Sequence, residues 1–389
     1  MTVEIVYCEG WDPGTRSIVR PLPESTARER DFAGDQYAMV FTDERPHVLV
    51  EICWSAQHAA VWYFDEQGRR ERKLEFRRWP EDRLVLLEAR QWAYEADTAE
   101  FHAGEPQWRH PYWTAQYHVD GQRRVSSGNW QDRPDLVVDP TSHAVPAFGD
   151  WSAVVGDVGP TIVRADPLEP AAPLEELPWR PPVPTRPRQL EETFEPGTRF
   201  TLDDGSEVTV EIADGGRLRL PSGRLVVADP DPWMHEVTPF VETVPPGEYP
   251  LEVAVVRFAD NPDHTRVAAC RLPVWGRPTV TWDNAWRPGE HELLLGDGEF
   301  FGVGVDGGRV ALVDAEVAQA YEDTIEDAYD DMEGWAHEVP EPGSGANLIT
   351  VESGWGDGSY PVWVGRDVDG KLTCFVVDFL VLAHAKRLD

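Results

Sequence analysis

Nine prolines crowd into residues 156–190: Pro160, Pro167, Pro170, Pro173, Pro178, Pro181, Pro182, Pro184 and Pro187. Proline fixes φ and has no amide donor, so this density works against helices and sheet ladders alike. The window reads as an extended, semi-rigid linker. PxxP spacings of the kind that dock in aromatic grooves occur in it, but chance supplies them at this density. The chain has 389 residues, too many for one ordinary domain. The linker therefore sets off an N-terminal domain, 1–155, from a C-terminal domain, 191–389.

Both flanks read as mainly β. In the first, Val48–Trp54, Ala60–Phe64 and Lys73–Phe76 are strand candidates, with a turn at Asp65-Glu66-Gln67-Gly68. Leu84–Tyr94 fits a strand or a short helix, and Tyr112–Val119 with Arg123–Ser126 makes a second hairpin pattern. In the second flank, Arg199–Leu202 and Glu207–Ile212 surround Asp203-Asp204-Gly205, a tight-turn signal. Arg217–Leu220, Arg224–Ala228, Tyr249–Phe258, Arg266–Leu272, Thr279–Trp282, Phe300–Val305 and Arg309–Val313 continue the sheet. One long helix is expected at 315–337. Val317, Tyr321, Ile325, Ala328, Met332 and Trp335 form an apolar stripe at helical spacing, with Asp314 as N-cap. Its other face carries Glu316, Glu322, Asp323, Glu326, Asp327, Asp330, Asp331 and Glu333, either a solvated face or a surface for a basic partner. The predicted fold class is mainly β, α+β by count: two antiparallel β-rich domains, the second with that helix.

Asp and Glu number 70 against 35 Lys and Arg, a net charge of −35. That balance repels nucleic acid and anionic membranes and suits basic partners, although an acidic proteome gives the same number. Cys8, Cys53, Cys270 and Cys374 form no C-x-x-C pair and sit in or beside apolar segments, as buried free thiols do. Residues 1–30 lack a signal-peptide pattern, and no apolar run reaches membrane-spanning length. A cytoplasmic location is expected. The scarcity of Lys beside abundant Arg, Ala, Gly, Pro and Asp has the look of a bacterial, GC-rich genome.

The densest run of special residues is Gly354-Trp355-Gly356-Asp357-Gly358-Ser359-Tyr360-Pro361, followed by Val362-Trp363-Val364 and the apolar Leu372–Leu382. Three glycines around one aspartate point to positive φ or to a close approach. Asp229, Asp231, Asp357 and Asp378 are candidates for a carboxylate cluster, and oxygen-rich sites suit Mg²⁺ or Ca²⁺. Turn and strand-end roles are the commoner explanation, because carboxylates cluster by chance in a chain this acidic. His235-Glu236 offers a base beside a carboxylate, but no second His stands at the zinc-protease spacing. Ser359 is not in a nucleophile elbow, and no phosphate-binding glycine motif occurs. The candidate site is thus Asp229, Asp231, His235, Asp357, Ser359, Tyr360 and Asp378, with no metal and no cofactor assigned. In the first domain, Arg69, Arg70, Arg72, Lys73, Arg77 and Arg78 gather around Phe76 and Trp79 as a basic patch or a solvated strand face. Trp54, Trp62, Tyr63, Trp108, Tyr112 and Trp113 could present a sugar- or peptide-binding face or simply fill a core.

From about Val226 to Leu382 the chain resembles a family of uncharacterised bacterial proteins, domain of unknown function 4241. The matching residues are Ala228-Asp229-Pro230, Pro246-Gly247-Glu248-Tyr249-Pro250, Arg266-Val267-Ala268, the run at 354–361 and Val376-Val377-Asp378-Phe379. Gly296-Asp297-Gly298-Glu299-Phe300-Phe301 departs from the family's turn. The resemblance supplies no reaction.

The expectation is a non-enzymatic recognition protein, immunity- or antitoxin-like, binding a basic protein partner. An enzyme with a cleft around Asp229, His235, Asp357 and Tyr360 is the alternative, and a carbohydrate-binding module a third. Neither nucleic acid nor membrane is expected as a partner, and the oligomeric state is open. Convergence of those residues in one pocket would favour the enzyme; scattering would favour recognition.

Overall fold

Alternating apolar and polar residues between tight turns produce antiparallel ladders in both flanks of the chain. The computed structural model describes residues 2–96, 98–100, 111–129, 142–165, 175–230, 238–321, 332–341 and 343–388. It divides into two units, Met1–Pro182 and Val183–Asp389.

The first unit is built on one sheet. Its strands are β1 (Val3–Asp12), β2 (Ser17–Pro21), β3 (Tyr37–Thr42), β4 (Pro46–Cys53), β5 (His58–Phe64), β6 (Arg70–Trp79), β7 (Arg83–Trp92), β8 (Tyr112–Tyr117), β9 (Arg123–Gly128), β10 (Ser142–Ala144) and β11 (Thr161–Val163). The main path runs β11-β1-β3-β4-β5-β6-β7-β8-β9. The helix α1 (Glu24–Ala33) ends at Gly34, whose φ of 83° closes the last turn. One face of the sheet buries Tyr37, Met39, Phe41, Val50, Ile52, Phe76, Leu86 and Trp113 against Ala27 of α1 and Trp151.

The proline-rich window is more firmly held than a spacer would be. Thr161–Val163 pairs in parallel with Val3–Ile5. Trp179 donates its indole N–H to Glu9 O at 3.0 Å, and Gln36 Nε2 donates to Trp179 O at 2.5 Å. Further along, Thr185 N donates to Glu299 O and Gly298 N to Val183 O, both at 2.9 Å. The prolines do not prevent this because the residues between them supply the donors. Residues 166–174 lie outside the described residues.

The second unit packs two sheets face to face. Its strands are β12 (Arg199–Thr201), β13 (Glu207–Leu220), β14 (Leu225–Ala228), β15 (Gly247–Phe258), β16 (Thr265–Pro273), β17 (Thr281–Asn284), β18 (Gly302–Val305), β19 (Arg309–Asp314), β20 (Ala336–Pro340), β21 (Asn347–Glu352), β22 (Gly358–Arg366), β23 (Leu372–Asp378) and β24 (Lys386–Leu388). The larger sheet runs β17-β22-β23-β16-β15-β13-β12-β24, with β18 also on β22; the smaller runs β14-β19-β21-β20. Val253, Val255, Val267, Val362, Phe375 and Val377 of the first meet Val227, Leu312, Ile349 and Val351 of the second in one core. Glu207–Ile212 and Arg217–Leu220, read separately above, are one strand: its register on β15 shifts between Asp214 and Arg217.

The long helix expected at 315–337 is not formed at either described end. After Asp314 the chain makes only the 3₁₀ turn Ala318–Tyr321, and Ala336–Pro340 is a strand paired with Asn347–Val351. Gly334 has φ 76°, which no helix interior accepts. The stripe residues Val317 and Tyr321, with Ala318, pack on the outer face of the smaller sheet, and ladder pairing captures the far end. Asp314 does cap, but from full burial, with Oδ1 accepting Ser222 Oγ at 2.7 Å and Glu316 N at 2.9 Å. Residues 322–331, including Ile325, Ala328 and six of the acidic positions, lie outside the described residues.

Candidate functional site

The edge of β22 is shared end to end by two strands. β17 pairs with Trp363–Arg366 and β18 with Gly358–Pro361. Asn284, buried at the junction, splices them. Its Nδ2 donates to Phe301 O at 2.8 Å and Val362 O at 2.9 Å, and its Oδ1 accepts Phe301 N at 2.6 Å. A primary amide reproduces the donor and acceptor of a peptide unit, so the ladder runs across the gap without an unpaired group.

Three residues on, Arg287 reaches across to the other sheet. Its guanidinium donates to Gly302 O of β18 at 3.3 Å and to Val227 O of β14 at 3.2 Å. It lies over the Phe240 ring at 5.1 Å. Burial pulls this guanidinium below the ordinary arginine range, against the opposing pull of Glu290. It remains charged, since arginine does not deprotonate in proteins.

Beside this bridge lies a cleft of about 530 Å³, lined by Val227, Ala228, Asp229, Arg287, the β18 residues, Asp306 and Gly358. Val303 and Val305 point into the core, while Gly302 and Gly304 leave the cleft wall without side chains. Asp229 closes the end of β14: its Oδ2 accepts Asp306 N at 2.5 Å and Gly307 N at 3.1 Å. The Asp306 side chain is exposed at the rim.

Of the described candidate residues singled out from sequence, Asp229 alone lines the cleft. Asp229 lines the cleft in the turn-capping role just described. Tyr360 is buried, its hydroxyl 2.7 Å from Gly356 O and 3.0 Å from Ser353 O. Its ring meets Phe379 edge-on. Burial raises its pKa, and the Asp357 charge adds to the rise. Asp357 and Ser359 are exposed, with Ser359 directly across the ladder from Gly304. Asp378 is on the opposite face of the large sheet from Tyr360, among Trp363, Cys374 and Val376. Its Oδ1 accepts Leu380 N at 2.9 Å, and Trp363 Nε1 donates to Oδ2 at 3.4 Å. Asp231 and His235 lie outside the described residues. Among the described residues, no three His, Cys, Asp or Glu side chains are placed to hold a metal ion.

In the first unit the basic cluster is matched by its own carboxylates. Arg69 pairs with Asp65 at 2.7 Å, Arg70 with Glu100, Lys73 and Arg77 with Glu75, and Arg78 with Asp82 at 2.6 Å. Arg70 also covers Trp62, and Arg72 covers Tyr63. Trp54 and Trp113 are buried, and Trp62 stacks on Trp92. Trp108 lies outside the described residues.

The cleft, its splice and its bridge all fall within the segment that carried the resemblance. Residues 218–377 match the family described as Protein of unknown function (DUF4241). The DUF4241 match takes in β14, Asn284, Arg287, β18 and nearly all of β23, and it does not extend into the first unit. No curated protein and no solved structure matches the chain. Arg287, Asn284 and Asp306 were not among the residues singled out from sequence. The period-two glycines of Gly302-Val303-Gly304-Val305 were the available signal, since glycine inside a strand marks a close backbone approach.

Proposed function

We propose that this protein is a recognition protein without catalytic activity, which binds a basic protein partner by charge complementarity in the manner of an immunity protein or antitoxin. The observation that carries this reading is the surplus of carboxylates. If each of the 35 Lys and Arg neutralised one of the 70 Asp and Glu, 35 acidic side chains would still be left over. Described basic residues are consumed this way, across β6 and along the larger sheet of the second unit, where Arg257 pairs with Glu211 and Arg271 with Glu252. The scattering of Asp229, Tyr360 and Asp378 into capping and core roles supports the same reading over the enzymatic one. A cytoplasmic location belongs to this proposal; no helix among the described residues is long and apolar enough to cross a membrane.

Titration of the full chain with polylysine and with a small folded basic protein tests it. Saturable binding that weakens steeply with added salt is the expected result. Absence of saturable binding at low salt would sink the proposal.

A further inference from the structure

Two of the described tryptophans stand more than half exposed, Trp275 at 54% and Trp355 at 56%. Indoles are highly buried on average, and those left at the surface are favoured anchors at protein interfaces. The two differ in the charge beside them. Near Trp275, Arg277 takes up both Asp367, at 2.8 Å, and Asp369, at 3.3 Å. Near Trp355, Asp306 and Asp357 are exposed and enter no ion pair among the described residues.

The turn that carries Trp355 is firmly held. Gly356 N donates to Ser353 O at 2.9 Å and Ser353 N to Gly308 O at 3.0 Å. Ser353 Oγ and the Tyr360 hydroxyl both donate to Gly356 O at 2.7 Å. Arg266 lies over the indole at 5.2 Å, and the Phe258 ring meets it edge-on with centroids 6.4 Å apart. An indole fixed in this way has little rotamer freedom left to lose on binding. The chain beside it is bare backbone: a Cβ on Gly356 would meet open space, and Gly308 of the adjoining turn comes close to Gly356 without a side chain. That adjoining turn, Asp306-Gly307-Gly308, carries the second carboxylate. Val305 pairs with Gly358, so Asp306 and Asp357 stand at the same end of the β18–β22 ladder.

We propose that the basic partner docks at Trp355, setting a Lys or Arg side chain against the indole with Asp306 and Asp357 beside it. The ring attracts the cation through its quadrupole, and the carboxylates supply the counter-charge. Two like charges at one ladder end oppose each other in the free protein, and a bound cation relieves that opposition. Arg266 is half-buried and tied to Thr265 O at 2.8 Å, so it backs the indole, and the two unpaired carboxylates outweigh its charge. The surplus negative charge of the whole chain steers the partner toward such a point. This inference rests on the basic-partner reading and gives it a location.

The test follows the indole N–H signals of the full chain by nitrogen-15 NMR while hexalysine is added, with hexaglutamate as the control. The signal missing from Trp355→Tyr belongs to Trp355. That signal moves saturably with hexalysine and stays still with hexaglutamate. Trp355→Ala weakens hexalysine binding roughly fivefold, and Asp306→Asn combined with Asp357→Asn weakens it roughly tenfold at low salt. Both variants keep the parent's melting temperature, because the substituted side chains are exposed. Should Trp355→Ala unfold, the titration of the parent and the double carboxylate variant decide alone. If hexalysine binds while the Trp355 signal stays still, the partner docks elsewhere and the proposal is overturned, although the basic-partner reading stands. If neither hexalysine nor polylysine nor a small folded basic protein binds, that reading falls and this site with it. If the Trp355 signal instead shifts with the concentration of the chain alone, the indole anchors a second copy and the proposal is overturned.

Discussion

Asn284 and Phe301 are joined side chain to backbone as two strands would be, by bonds of 2.8 Å and 2.6 Å across a separation of 17 residues. Removing that amide leaves the N–H and C=O of Phe301 without partners at the sheet junction. Asn284→Ala should therefore cost about 2–3 kcal/mol, more than a typical exposed hydrogen bond. Asn284→Asp sets a buried carboxylate oxygen against the carbonyls of Phe301 and Val362, and should cost at least as much. Urea denaturation of the three proteins checks the ranking.

Asp378 makes the stability of the second unit depend on pH in an unusual sense. Burial pushes its carboxyl up to about 6, against the hydrogen bonds from Leu380 N and Trp363 Nε1. The folded state then holds a proton that the unfolded chain releases near pH 4. Stability from this group is present below about pH 4 and is lost as pH rises toward 6, by roughly 3 kcal/mol in all. Asp378→Asn should consequently be the more stable protein at neutral pH, with its advantage shrinking to little near pH 4. Paired denaturation curves at the two pH values show this as a difference between variants, independent of the many other carboxylates. A parent protein that outlasts Asp378→Asn at neutral pH would refute the assignment.

The glycines of the 354–361 run should not be equally sensitive. Gly354 has φ 57°, and a Cβ there would stand 2.9 Å from Val381 Cγ2 and 3.0 Å from Phe379 Cβ. Gly356 has φ 104° and open space around it. Gly354→Ala should cost about 2–4 kcal/mol from strain and overpacking together, and Gly356→Ala about 1 kcal/mol from strain alone. Asp357→Ala, at an exposed position, should leave the melting temperature nearly unchanged. Thermal melts of the three variants give the order directly.

All four cysteines are buried and free. Burial pushes Cys270 up to about 12 and raises Cys8 and Cys374 as well. A thiolate reagent should label the native protein slowly and the unfolded protein fully. Rapid labelling of any one thiol at neutral pH would show local opening that the packing does not predict.

The strands were legible where one face is buried and the other is not. Tyr249–Phe258 alternates over its first half because Tyr249, Leu251 and Val253 face the core between exposed or half-buried neighbours, and its ends were read to within two residues. β1 escaped notice because Ile5 to Gly10 is buried on both sides, so its pattern has no period, and Gly10 interrupts it. α1 escaped because Ala27 is its only buried residue, which leaves no stripe to read. The stripe from Val317 to Trp335 misled at both described ends, where Tyr321 closes a 3₁₀ turn and a strand begins at Ala336; Ile325 and Ala328 lie outside the described residues. Within the site, Asp229 was visible as a turn residue of the Asp-Pro type. Arg287 was not, because the two carbonyls that give it a purpose lie 15 and 60 positions away along the chain. No local pattern encodes a bridge of that kind.

The splice at Asn284 has a consequence for how this segment can vary. Both ends of the excursion from Ala285 to Phe300 are anchored at neighbouring points of β22, so the register of the sheet does not depend on the excursion's length between Arg287, which bridges to β14, and Gly298, which meets Val183. Insertions there cost only loop-closure entropy, which grows slowly with length. Arg287 stands at the root of this arm, and Gly298 and Glu299 tie its far end to Val183 and Thr185. The same scaffold can therefore reshape the mouth of its cleft by rewriting one arm, with every ladder in the sandwich left in register.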